Sequence, residues 1–196
     1  MELFKIVNED DLSKYLQEND KIIGFKQNIP VGYMSKVVLN MSNKCNLKCK
    51  YCYADGGKYA SQKDNLMSDQ TFENIVKELL EQGIKHIGVV SFFGGEPLLN
   101  YRLIKRGIKI LDKSITVGTY EIVTNGWYLN KDMLIFFKEH NIKLSINIDG
   151  PQDITDFLRG KGTYDRVMLG LDIAKSIGYS CIFHLSSALF PGIQST

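Results

Sequence analysis

The stretch KCNLKCKYCYA, residues 44–54, places Cys45, Cys49 and Cys52 within eight positions at the spacing C-x3-C-x2-C. It follows KVVLNMS (36–42), an apolar, β-branched run that reads as a strand. Three thiolates from one loop are one short of closing a four-coordinate metal site. Catalytic metals keep such an open position and structural ones close it. Two readings result. An iron–sulfur cluster held by three cysteines leaves one iron open to the amine and carboxylate of a small molecule. A structural zinc needs a fourth ligand, from Cys181, His86, His140 or His184, none of them in the same loop. A disulfide framework would spread its cysteines along the chain, and pairing Cys45 with Cys49 would leave Cys52 odd.

Outward from this loop the chain alternates. SDQTFENIVKELLEQG (68–83) reads as a helix capped by Ser68 and stopped at Gly83, with Phe72, Ile75, Val76, Leu79 and Leu80 on one face. HIGVVSFF, TYEIVTN, IKLSINID and YSCIFHLSS read as further strands. LLNYRLIKRGIKILDKSI, NKDMLIFFKEHN and TYDRVMLGLDIAKSIG read as the helices between them. Strict alternation implies parallel strands joined by right-handed crossovers. An open doubly wound sheet and a curved, barrel-like sheet both satisfy it. Polar residues decide between them. The cysteines follow strand one, Gly94, Gly95 and Glu96 follow strand two, Thr124, Asn125 and Gly126 follow strand three, and Asn147, Asp149 and Gly150 end strand four. Barrel-type βα folds keep their sites at those C-terminal strand ends, so the expected fold is an incomplete (β/α) partial TIM barrel of about five parallel strands.

Composition sets the outer bounds. The 196 residues are 44% hydrophobic and 23% charged, with 24 basic against 22 acidic side chains. No basic stripe argues for nucleic acid, and no apolar run approaches the roughly 18 residues of a membrane span. The N-terminus lacks a signal-peptide apolar run, so the expected location is the cytoplasm. Residues 1–34 read as an appendage, with a short helix at NEDDLSKYLQEN and a strand at KIIGF, and residues 35–196 as the core domain.

With these motifs in order, the sequence resembles the radical S-adenosylmethionine (SAM) superfamily, and within it the subgroup that matures sulfatases and ribosomal peptides. CNLKCKYCY carries the hallmark spacing with an aromatic residue, Tyr51, before the third cysteine. FFGGEPLLN (92–100) resembles the GGEP motif, and IVTNGWYLN (122–130) and INIDGPQDITDFLRGKGTYDRVMLGLDIAK (146–175) resemble the later motifs, a likeness covering about residues 36–185. The resemblance implies that Cys45, Cys49 and Cys52 hold a 4Fe–4S cluster whose fourth iron SAM chelates. One electron then cleaves the sulfonium C–S bond, giving methionine and a 5′-deoxyadenosyl radical that abstracts hydrogen from a substrate. It further implies cofactor contacts from Tyr51, Gly94, Gly95, Glu96, Asn125, Asn147 and Arg159. Glu96 and the backbone beside it would meet the methionyl ammonium. Asn147, which stands where the subgroup commonly has serine, and Arg159 would contact the ribose and the methionyl carboxylate. The implied partners are a peptide or protein substrate and an electron donor such as flavodoxin or ferredoxin.

Plainer readings stand beside these. Arg159 reads equally as a solvated loop charge, Thr124 as turn chemistry before Gly126, and Asp149 as a loop cap or a site residue. Phe92, Phe93, Trp127 and Tyr128 read as packing, Cys181 as core, and the histidines as rim or helix-end residues. The family's sheet commonly has six strands and the subgroup a cysteine-bearing SPASM or twitch extension. Neither is found by residue 196, so the chain is expected to be C-terminally truncated, with a strand edge that invites a partner chain. The alternative function is an inactive remnant that binds the cluster, SAM or a partner without turnover.

Overall fold

Period-two apolar runs become strands here because one face of each meets helices. The computed structural model describes residues 30–58 and 65–180 and the backbone of 182–185. The expected helix and strand of the N-terminal segment, and the side chains of Cys181 and His184, lie outside the described residues. In chain order the elements are β1 (Tyr33–Ser42), α1 (Asp69–Glu81), β2 (His86–Gly94), a 3-10 turn (Pro97–Asn100), α2 (Tyr101–Leu111), β3 (Thr116–Thr124), α3 (Lys131–Glu139), β4 (Lys143–Ile148), α4 (Gln152–Arg159), α5 (Thr163–Ser176) and β5 (Ile182–Leu185).

The strands form one parallel sheet in the order β1-β2-β3-β4-β5. That order removes the doubly wound alternative, which requires a reversal of strand order and a switch point. Sequential parallel order joined by right-handed crossovers is the winding of a barrel, and α1, α2, α3 and α5 contribute to one core with the sheet. Leu39, Met41, Val90, Phe92, Ile122, Leu144 and Ile146 form the buried sheet layer, and Phe72, Ile104, Ile108, Leu134, Phe137 and Val167 cover it from the helices. Burying each such side chain is worth about 1.5–3 kcal/mol. Among the described residues no helix is long and apolar enough to cross a membrane.

Local signals set the boundaries. Ser68 Oγ accepts from the Thr71 amide at 3.0 Å, and Asn130 Oδ1 from the Met133 amide at 3.0 Å, so both helices begin on side-chain caps. The helix expected over LLNYRLIKRGIKILDKSI is divided. A 3-10 turn precedes α2 because Asn100 turns inward, donating to the carbonyls of Met41 at 3.1 Å and Met67 at 2.9 Å. One helix was not expected at all: α4, bracketed by Pro151 and Gly160. Those brackets are helix-end signals, and Ile154, Phe157 and Leu158 have helical spacing.

Gly107 shows how tightly α2 sits. A Cβ there would lie 2.5 Å from the ring tip of Phe72, which is fully buried. Gly107→Ala is therefore expected to destabilise the chain by about 1–3 kcal/mol through overpacking. Alanine's roughly 1 kcal/mol advantage in a helix would not reverse the sign. Urea denaturation of the two proteins measures the difference.

Candidate active site

The cysteine loop leaves β1 through a tight turn in which Ser42 Oγ accepts from the Lys44 amide at 3.1 Å and donates to the Lys44 carbonyl at 2.8 Å. Leu47 and Ala54 are buried and anchor the loop. Its middle is tied to α4 by the Lys50 amide, which donates to the Leu158 carbonyl at 2.9 Å. Two sulfurs receive backbone donors: the Leu47 amide reaches Cys45 Sγ at 3.4 Å and the Gly56 amide reaches Cys52 Sγ at 3.3 Å. Burial raises the thiol pKa of Cys45, and that of Cys49 to about 11. Both are thiols at neutral pH when unliganded, so binding a metal there displaces protons.

The turn after β2 closes against this loop. Gly94 has φ +137°, and a Cβ on it would lie 2.6 Å from the Ser42 carbonyl. A Cβ on Gly95 would lie 2.5 Å from the Lys44 carbonyl and 2.7 Å from Gly57 Cα. These glycines are needed because the backbone of the cysteine loop packs directly on them. The amides of Gly95 and Glu96 complete the seam by donating to the carbonyls of Ser42 at 2.8 Å and Lys44 at 2.9 Å.

Glu96 follows Gly95 in the turn after β2. Its side chain is fully buried and does not line the cavity. Oε1 accepts from the Leu98 amide at 2.9 Å and the Thr124 hydroxyl at 2.7 Å, and Oε2 from the Asn125 amide at 2.9 Å. The carboxylate thus locks the turn after β2 to the turn after β3 and is occupied by the chain's own donors. Thr124, read from sequence as turn chemistry, is one of those donors and also accepts from the Gly126 amide at 3.1 Å. Burial pushes the Glu96 pKa up to about 7, outweighing the three donors that pull it down. Between pH 4.5 and 7 the folded chain holds a proton that the unfolded chain releases, so this group's contribution to stability falls as pH rises through that window. The loss is about 3 kcal/mol across it. Stability against pH, compared with Glu96→Gln by urea titration, should show that extra decline in the wild type alone.

A second buried polar group joins the cysteine loop to β4 and α4. The Tyr51 hydroxyl donates to Asp149, 2.7 Å from Oδ2 and 2.9 Å from Oδ1. Arg159 Nε and Nη2 donate to the same two oxygens at 2.7 and 2.9 Å. The Asp149 side chain is 0% exposed and that of Arg159 5%. Arg159 is therefore not a solvated loop charge: it ends α4 and is held as a bidentate fork. Burial raises the Tyr51 phenol's pKa and Asp149 adds to that, so Tyr51 stays a donor. From sequence Asp149 reads as a loop cap or a site residue, and no local pattern links it to Tyr51, 98 positions away.

The C-terminal ends of β1–β4 surround one cavity of about 310 Å³, and its lining includes Cys45, Cys49, Cys52, Tyr51, Gly94, Gly95, Asn125, Asn147 and Arg159. Asn147 sits near the end of β4. Phe93 also lines the cavity, whereas Phe92 is core, stacked on Tyr120 with ring centroids 6.0 Å apart. Other candidate ligands stand apart. His86 opens β2, at the opposite end of the sheet from the cysteines. His140 follows α3, its Nδ1 3.0 Å from the Phe136 carbonyl. Among the described residues, no three His, Cys, Asp or Glu side chains converge on a point that a single ion occupies.

A parallel sheet wound like a barrel, with three cysteines of one loop at its C-terminal edge, defines a βα enzyme core built around a cofactor. The model of the radical SAM superfamily matches residues 39–193, and the chain belongs to that superfamily. Its cofactors are a 4Fe–4S cluster and SAM. A cysteine-type anaerobic sulfatase-maturating enzyme of Clostridium novyi is 31% identical over 71% of this chain and 40% of its own length. Native anSMEcpe with bound AdoMet superposes with a TM-score of 0.65 at 24% identity, over 76% of this chain and 43% of that one. Streptococcus suis SuiB bound to precursor peptide SuiA superposes with a TM-score of 0.59 at 20% identity, over 91% and 38%. The structural likenesses establish the fold. The chain spans about half or less of the length of the relatives it matches.

The donor set fits the superfamily's cofactors. Three thiols share one cavity, and backbone N–H groups already face two of the sulfurs, as thiolate ligands require. One donor in the loop, Asn46 Nδ2, is buried without a partner.

Proposed function

We propose that this chain is the radical SAM core of an enzyme that modifies a peptide or protein, with residues 35–196 as the core domain and 1–34 as an appendage. The observation that carries the reading is the cavity into which four successive strand ends bring the cysteines, the Gly94-Gly95 turn, Asn125, Asn147 and Arg159. Cys45, Cys49 and Cys52 would hold the cluster. When bound, the cluster and SAM supply reductive cleavage of the sulfonium and a 5′-deoxyadenosyl radical for hydrogen abstraction.

The chain's own residues bind and orient. Arg159 spends Nε and Nη2 on Asp149, which leaves Nη1 for a ligand carboxylate, in a direction that the ion pair holds fixed. Asn147 offers both a donor and an acceptor to ribose hydroxyls. Gly94 and Gly95 line the cavity, where their main chain would meet the methionyl ammonium. Glu96 acts behind this surface, holding Thr124, which lines the cavity, and the Asn125 amide, and so keeps the turns after β2 and β3 in register. A peptide substrate is supported by relatives named sulfatase-maturating enzymes and by the fold shared with SuiB, whose structure holds a precursor peptide.

Anaerobic reconstitution with iron and sulfide, followed by SAM and a strong reductant, tests the reading. Formation of 5′-deoxyadenosine is expected. A cluster without 5′-deoxyadenosine would mean binding without turnover, and no cluster at all would sink the proposal.

A further inference from the structure

Asn46, between Cys45 and the buried Leu47, carries the one orphan among the described buried side-chain polar atoms: Nδ2, shielded from solvent and without a hydrogen-bond partner. Its orientation is imposed from β3. The Trp127 amide donates to Asn125 Oδ1 at 3.0 Å, and a backbone N–H can only donate, so the oxygen of Asn125 is fixed on that side. The other end of Asn125 is then Nδ2, which donates to Asn46 Oδ1 at 2.9 Å and reaches Cys45 Sγ at 3.5 Å. Asn46 cannot flip without setting two amide nitrogens against each other. Its Nδ2 is therefore left as a donor whose acceptor is absent from the described chain. Buried donors are rarely left unpaired, and each exception calls for a cause. Around Cys45 the other donors find sulfur: Asn125 Nδ2 and, at 3.4 Å, the Leu47 amide, while Asn46 meets the same sulfur through Oδ1 at 4.0 Å.

We propose that Asn46 and Asn125 tune the cluster: their side-chain amides, oriented in series from the Trp127 backbone, donate N–H···S hydrogen bonds to the sulfur around Cys45 and raise the reduction potential. The inference rests on the cluster reading above. Reduction adds negative charge to a sulfur-rich core, and N–H donors aimed at sulfur stabilise the more negative form. Removing a donor moves the potential down. The relay also gives the β3 turn a means of setting the electronics of a loop that follows β1, through side chains that hold no iron.

An EPR-monitored redox titration of the reconstituted 196-residue chain tests this. Asn46→Ala should keep iron and sulfide content equal to wild type and shift the midpoint potential to more negative values, and the cluster that Asn125→Ala holds should shift in the same direction. A merely structural role would change iron content or stability and leave the potential of the remaining cluster in place. An unchanged midpoint in Asn46→Ala overturns the proposal. If that variant fails to hold a cluster, pulsed EPR of the reduced wild type labelled with 15N in its asparagine side-chain amides decides: a 15N coupling is expected, and its absence overturns the proposal. A wild type that takes up no cluster defeats the functional reading as well, an outcome distinct from a cluster whose potential ignores Asn46.

Discussion

Asp149→Ala is expected to destabilise the chain by about 3–5 kcal/mol, because it leaves the Arg159 guanidinium buried without a counter-charge. Arg159 is 5% exposed and both of its bonded nitrogens point at Asp149. The Tyr51 hydroxyl loses its acceptor in the same step. Three consequences separate this from an ordinary core truncation. Tyr51→Phe, which leaves the ion pair intact, should cost only about 1 kcal/mol. Adding Arg159→Leu to Asp149→Ala should recover much of the loss, since an apolar pair of similar volume avoids burying a lone charge. SAM affinity should fall in the single variant and stay low in the double, because Arg159 no longer presents Nη1 to the cavity in either. Urea denaturation gives the stabilities and equilibrium dialysis the affinity. An Asp149→Ala variant within 1 kcal/mol of wild type would mean that the buried pair is not formed.

Cys49→Ala should abolish the 4Fe–4S signal and all 5′-deoxyadenosine formation while leaving the fold close to wild type. The thiol is only half-buried, and it lies in a loop held by Leu47, Ala54 and the Lys50 amide. Its loss removes a metal ligand and little packing. Cys45→Ala and Cys52→Ala should behave alike. His86→Ala should keep full iron content, since His86 opens β2 at the far end of the sheet. Iron and sulfide analysis with circular dichroism separates loss of the cluster from loss of the fold.

The sheet was legible because each strand is a short Val- and Ile-rich run and each helix has a 3.6-residue apolar stripe. Local periodicity could not supply strand order. The placement of polar residues at four successive strand ends did, and the sequential order agrees with it. The cysteine loop was legible because spacing within one loop is local information. Glu96, Asp149 and Asn46 were not, for a shared physical reason. Their partners are Thr124 and Asn125, Tyr51 and Arg159, and again Asn125, residues that only folding brings near. A buried carboxylate is indistinguishable in sequence from one that meets a ligand, and only its hydrogen bonds show that Glu96 is already satisfied. The helix Gln152–Arg159 has its signals in Pro151 and Gly160, which stand at its two ends.

The central claim is that three cysteines hold a cluster with one iron left open for SAM. EPR spectra of the reduced, reconstituted chain, recorded with and without SAM, test it most directly. SAM at the open iron should change the g-values of the cluster, and Cys49→Ala should show no cluster signal in either sample. A wild-type cluster spectrum that is identical with and without SAM would contradict the account.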